Sequence, residues 1–574
     1  MPPVQSDKAK KPPACDACKA RRVLCHPQPN GAPCPRCVEK NQICLTTPVP
    51  RGRPRKNPLP GAPAQSPTPP QSRAKSRTTP SPPLPVEPIY KTSSSCPPLT
   101  PEFVAHCFEA LQYTPQYTHP LITTCSIKMD IRAVSYQLHL LPPQSRVLAL
   151  CIICCAALTS FHPSVLGDGP RPQSFLDDDF FTPSNVDLVG CGVRRAAAYR
   201  ALRIEALKAA WEIGIILQPS NENAASCYLL DLLEHCDFSG ISRPWANAYM
   251  SHVRALAPIW RASNAFTASD GAHWVGYLTG DSLIAVTSRT PMLVTPNDQL
   301  LLCGPSPPSL EALIASLSKS TSISLLWSSF TSFLYHIVNY ARQLIETISG
   351  DYARLSPLSE SAVLNFLSAL SLMHSVLALL LDHVDRVIAN NDQTSPFVLE
   401  DTARTCAYGA IFGFSGLVQP FYRELKYREA SEAGSQTQST YDRFRFLHAQ
   451  AHEMAILGAR QIARGIRYLP KGHFTPVHWS CIFGWAEFCV EEMESGAPPS
   501  SDFIHDLETL GNELKHMGYS LENASTPHSQ ALLERLQSHV SRSLVDMFLP
   551  PELPLEGTWL GAGPMTHGSM VFAC

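Results

Sequence analysis

From about Pro101 to about Pro550 the apolar positions recur at helical spacing. Tyr199, Leu202, Ala206, Ala210, Ile213 and Leu217 step by three and four, which predicts the buried stripe of an amphipathic helix. Val363 to Ile388 is richer still and predicts a central buried helix. Ser322 to Ile348 and Tyr441 to Leu469 read as two more. Alternating strand patterns are scarce. The expectation is one all-helical region over residues 101–550, broken by loops near 163–190, 292–310 and 428–440. Ser361 to Leu381 reaches the roughly 20 residues that a bilayer span requires. Asn365, His374 and four serines interrupt it, and Asp382, Asp385 and Arg386 follow. It reads as a core helix, and no membrane partner is expected.

The first hundred residues have another texture. Residues 1–13 are polar and basic and predict a disordered tail; residues 14–45 hold six cysteines. From Thr46 to Thr100 there are sixteen prolines and one acidic residue, Glu87. Such a segment cannot bury enough apolar surface to offset the entropy of ordering, so a Pro-rich disordered linker is predicted over 46–100. Residues 551–574 read as a C-terminal tail.

Charge sharpens the division. The net charge is -2, but residues 1–91 carry +12, which leaves -14 on the rest. A basic head on an acidic body points to a polyanionic partner for the head. The leading MPPVQSDKAKKPP has no apolar run and reads as no export signal, so the 20 cysteines are expected as thiols and metal ligands.

Cys15, Cys18, Cys25, Cys34, Cys37 and Cys44 are spaced C-x2-C-x6-C-x8-C-x2-C-x6-C. Two separate tetrahedral zinc sites need eight ligands, and six thiolates are too few. Sharing two sulfurs between two ions resolves the count and leaves a formal charge of -2 for nearby Lys and Arg to offset. Metal binding would also supply folding energy that about thirty residues cannot draw from a core. The simpler alternative is one four-ligand site with two spare cysteines.

This spacing resembles the fungal zinc binuclear cluster (Zn(2)-C6) family of transcription factors. The resemblance implies two Zn(II) ions per chain, with Cys15 and Cys34 as shared thiolates. Cys18 and Cys25 would complete one ion, Cys37 and Cys44 the other. It also implies that the segment after the second cysteine, CKARRVLC, enters the DNA major groove, with Lys19, Arg21 and Arg22 at base edges and phosphates. Arg36 and Lys40 then fall at phosphates. Leu24 stands where a basic residue commonly precedes the third cysteine.

Six residues past the cluster, Pro50-Arg51-Gly52-Arg53-Pro54-Arg55-Lys56 resembles an AT-hook. Gly52 carries no side chain to meet the groove floor, the prolines hold the chain extended, and Arg51 and Arg53 suit a narrow, electronegative minor groove, flanked by Arg55 and Lys56. A plain basic nuclear-import signal or a solvated basic linker is the alternative, and these readings do not exclude one another. Arg146–Ser160, Arg194–Leu217 and Gly240–Ile259 resemble pieces of the family's helical regulatory domain.

Other features read as structural. Cys151, Cys154 and Cys155 suit buried small hydrophobes. Gly190-Cys191-Gly192 lacks the third glycine of a dinucleotide loop. Ser174–Leu188, SFLDDDFFTPSNVDL, reads as an exposed acidic loop or, alternatively, an acidic-aromatic activation segment. No hydrolase, P-loop or kinase signature is present, so no enzyme is expected. The sequence predicts a mainly α, nuclear, sequence-specific DNA-binding regulator, with coregulators as partners and homodimerisation left to the helical region. The alternative is a chromatin-associated scaffold of low sequence specificity.

Overall fold

A computed structural model describes residues 14–20, 23–28, 32–46, 96–182, 186–237, 243–263, 268–389, 397–432, 438–470, 472–474, 478–495 and 501–548. The tail 1–13, Arg21, Arg22, the AT-hook-like segment, most of the Pro-rich linker and the tail 551–574 lie outside these. The described residues are helices and turns, with no strand among them. The chain divides into two units, Met1–Ile89 and Tyr90–Cys574.

The larger unit holds two apolar cores. One gathers helices Pro143–Ala157, Leu188–Ile213, Asn221–Asp237 and Pro244–Ala262 around Cys151, Leu202, Leu230 and Trp245. The other gathers Ile323–Leu344, Glu360–Ala389, Phe397–Glu432, Gln438–Ile466, Trp479–Glu494 and Ser501–Met517 around Phe333, Leu377, Phe414 and Trp485. Two cores suit a chain of this length, because a single one stops growing near 250–300 residues. The cores meet along two helices. Ala268–Ser288 sends Trp274 and Leu278 into the first core and Leu283 and Val286 into the second. Ile323–Leu344 divides Val338 and Ile337 the same way.

Local chemistry sets the helix ends. Leu188–Ile213 begins where the Asp187 carboxylate accepts the Gly190 amide at 2.8 Å. It ends at Gly214, whose φ of 68° is left-handed backbone that glycine adopts without Cβ strain. The expected stripe therefore stops early. Tyr199, Leu202, Ala206 and Ala210 are buried, Ile213 is half-buried, and Leu217, past the glycine, is 82% exposed. The loop expected at 292–310 contains a helix, Pro296–Cys303, nucleated by a Thr295/Asp298 capping box with Pro296 in its first turn. The helix expected from Ser322 to Ile348 becomes a π-turn over Ile345–Ser349.

Glu360–Ala389 is long and apolar enough to cross a membrane by length and composition. Its stripe Val363, Phe366, Leu370, Leu377 and Leu381 is buried in the second core. Cys151, Cys154 and Cys155 are buried on Pro143–Ala157. Gly192 is there for close approach: a Cβ would fall 2.2 Å from the Gly518 carbonyl oxygen. In its described part the acidic-aromatic segment is a loop of turns whose acidic residues are exposed, as expected, while its aromatic residues turn inward. Phe175, Phe180 and Phe181 are buried in the first core. Asp177 accepts the Gln173 amide at 2.9 Å and the Phe180 amide at 3.1 Å, and Asp178 and Asp179 face solvent.

Candidate metal centre

The two halves of the cysteine run fold alike. Each carries a short helix, Asp16–Ala20 and Pro35–Glu39. A shift of 19 residues carries Cys15 onto Cys34, Cys18 onto Cys37 and Cys25 onto Cys44. The hydrogen bonds repeat with the same shift. The Cys15 carbonyl accepts the Lys19 amide at 2.9 Å, and the Cys34 carbonyl accepts the Val38 amide at 3.2 Å. The Cys18 carbonyl accepts the Val23 amide at 3.1 Å, and the Cys37 carbonyl accepts the Gln42 amide at 2.8 Å. The Asp16 amide donates to the Leu45 carbonyl at 2.8 Å and ties the ends of the module together.

These turns collect the sulfurs. Cys15, Cys18, Cys34 and Cys37 are 1–3% exposed, and their sulfurs lie within 4.8 Å of one another. Cys25 and Cys44 are half-buried beside them. A Zn–S bond of about 2.3 Å implies a tetrahedral sulfur–sulfur edge of about 3.8 Å. Cys15 lies 3.9 Å from Cys34, 3.7 Å from Cys37 and 3.8 Å from Cys25, and Cys18 lies 3.7 Å from Cys34. The donor set and spacing fit zinc, and this cysteine cluster could hold it. Cys15 and Cys34 each contact a thiol of the opposite half.

The electrostatics separate the same two cysteines. The Cys18 backbone amide pointing at its sulfur brings the Cys15 thiol down to about 6, against burial. The Cys37 amide lowers Cys34 likewise. Burial pushes Cys18 up to about 12 and raises Cys37. Cys25 and Cys44 receive lowering backbone bonds from Cys15 and Cys34, yet burial and neighbouring thiols leave both raised. The Cys34 amide donates to Cys44 Sγ at 3.3 Å. Six thiolates this close repel one another, and a bound cation reverses that balance.

Of the cations assigned to DNA, Lys19 is exposed at the end of the first helix, Arg36 is exposed on the second, and Lys40 is exposed just beyond it. Arg21, Arg22, Arg51, Gly52, Arg53, Arg55 and Lys56 are outside the described residues. Leu24 is 72% exposed, and its counterpart under the 19-residue shift, Ile43, is 81% exposed. Sequence reasoning missed the amide donors to Cys15, Cys34 and Cys44, because backbone groups leave no trace in residue identity. Compared with protein-family models, with curated proteins and with solved structures, the chain matches none.

Proposed function

We propose that the chain is a sequence-specific DNA-binding regulator of transcription whose six cysteines hold two zinc ions. The observation carrying this reading is that Cys15 lies at tetrahedral-edge distance from thiols of both halves, and Cys34 from Cys15 and Cys18 of the opposite half. A single four-ligand site would use the sulfurs of Cys15, Cys18, Cys34 and Cys37 alone. It gives no reason for Cys25 to sit 3.8 Å from Cys15, or for Cys44 to accept the Cys34 amide. Lys19, Arg36 and Lys40 would offset the residual negative charge and meet phosphates. Arg21 and Arg22 would read base edges, and Arg51 and Arg53 of the hook would add minor-groove affinity in the nucleus. The helical body would serve coregulator contacts and any homodimer, and no catalysis is invoked.

The scaffold alternative differs in one measurable quantity, the ratio of affinities for a chosen duplex and random DNA. Full-length protein is expected to carry two zinc ions by native mass spectrometry and to enrich one short element from random duplexes. It should prefer that element by at least about a thousandfold. One ion per chain would remove the shared-sulfur arrangement, and a ratio near one would favour the scaffold.

A further inference from the structure

Glu109, Tyr113, Phe161 and residues 173–176 line a cleft of about 200 Å³ in the helical unit. Three aromatic rings contribute to its wall. Phe175 is 4% exposed and stacks on Tyr113, with centroids 4.5 Å apart and planes 21° apart, and it meets Phe161 at 4.7 Å. Tyr113 and Phe161 are half-buried, so each keeps surface that the core does not cover. The wall is formed in advance. Asp177 accepts the Gln173 and Phe180 amides and turns the loop back on itself. Just upstream, Arg194 donates to the Leu166 carbonyl at 3.2 Å and to the Pro170 carbonyl at 2.7 Å. A site that exists before its ligand costs little ordering on binding.

Charge selects the occupant. Among the described residues, Glu109 is the one charged residue lining the cleft; it is exposed in the last turn of helix Pro101–Ala110. Its carboxylate has no ion pair or side-chain hydrogen bond among those residues. Behind the rings, His106 lies 5.4 Å from Phe175 and 4.8 Å from Phe161. Burial brings its pKa down to about 4, so it is a neutral imidazole at pH 7 and places no cation behind the wall. The flanking loop carries Asp177, Asp178 and Asp179 against Arg171. An anion would therefore meet Glu109 with no lining cation to offset it. The volume is below the roughly 300–1,000 Å³ of drug-sized sites, which limits the occupant to about one ring with a short arm.

We propose that this cleft binds a small organic amine, with one apolar ring against Tyr113, Phe161 and Phe175 and its ammonium at the Glu109 carboxylate. The rings take the part of the ligand that leaves water, and Glu109 sets its sign of charge. Phe175 belongs to the first apolar core, so an occupied cleft favours the folded body by mass action. The site would give the helical body a small-molecule input, and it stands independently of DNA binding by the cysteine module.

Saturation-transfer NMR and calorimetry on the full-length chain test this with three probes of one shape: 2-phenylethylamine, 2-phenylethanol and phenylacetate. The amine should bind with a Kd of about 1 mM or below, ordinary for a ligand of this size. It should exceed the alcohol by up to about fivefold, the most that an exposed carboxylate gives, and the acid should bind weakest. Glu109→Gln should bring the amine to the level of the alcohol. Ser174→Trp, at an exposed lining position, should fill the cleft and weaken amine and alcohol together, with the circular dichroism of both variants unchanged. No transfer to the amine at millimolar concentration would overturn the proposal. So would equal affinity for all three probes, or amine binding that both substitutions leave intact.

Discussion

At the scale of single residues, the proposed sharing of Cys15 and Cys34 between two ions has a consequence that no other pair would have. Cys15→Ala or Cys34→Ala is expected to remove both zinc ions, whereas Cys18→Ala removes one or weakens it. Native mass spectrometry of the full chain distinguishes them; equal single losses for all three would end the shared-ligand reading. The cysteine spacing made the cluster itself legible in advance. Gly192 was not legible, because Gly190-Cys191-Gly192 shows only that two glycines are near. What needs the glycine is the Gly518 carbonyl, 2.2 Å from a built Cβ and more than three hundred residues away. Gly192→Ala is expected to cost about 1–3 kcal/mol, since backbone must shift to admit the methyl. Chemical denaturation measures it, and an unchanged midpoint would mean that the 518–521 turn yields freely.

At the scale of elements, the two short helices of the cysteine module differ in what they present. Under the 19-residue shift Lys19 corresponds to Val38, and both are exposed. Only the first helix therefore offers a cation at that place. Lys19→Ala should weaken DNA binding, lower the salt dependence by about one phosphate contact and leave zinc content unchanged. Filter binding at several salt concentrations gives both numbers; an unchanged slope would take Lys19 off the phosphates. Helix positions in the body were largely readable from the three-four stripe, as for Glu360–Ala389. Two errors have physical reasons. The stripe ending at Leu217 ignored Gly214, whose left-handed turn stops the helix. The loop at 292–310 overlooked Thr295-Pro296-Asn297-Asp298, a helix start that its apolar spacing alone did not reveal.

At the scale of the whole molecule, buried histidines set the response to acid. His119 is fully buried; its Nδ1 accepts the Leu121 amide at 3.1 Å, so its proton sits on Nε2, facing the Tyr249 hydroxyl at 3.3 Å. Burial brings its pKa down to about 3, and burial brings His478 and His516 to about 4. These groups are neutral when folded and prefer to ionise when unfolded. Their contribution is present above the ordinary value near 6.5 and is lost as pH falls towards 4. Salt-bridged Glu513, held low against burial by His473, keeps its contribution until lower pH, and His473 is raised by the same contact. His473 therefore favours folding below 6.5 and loses that effect only as pH rises through its raised value. The body should be most stable near neutrality and lose several kcal/mol between pH 6.5 and 4. Urea unfolding followed by circular dichroism at pH 7, 5.5 and 4.5 checks this, with His119→Asn expected to flatten the dependence. A midpoint constant with pH would show that the buried imidazoles can be protonated in place.

Helices Ala268–Ser288 and Ile323–Leu344 belong to both cores, so neither core has a boundary of its own. For a geneticist this means that the body behaves as one locus of stability. Heat-sensitive alleles isolated around Trp245 and around Phe414, far apart in the chain, should share one restrictive temperature range and one fate, clearance of the whole polypeptide. Compensating changes found in a screen should not respect the address of the lesion: a stabilising change beside Trp485 can restore growth to an allele that loosens Leu202.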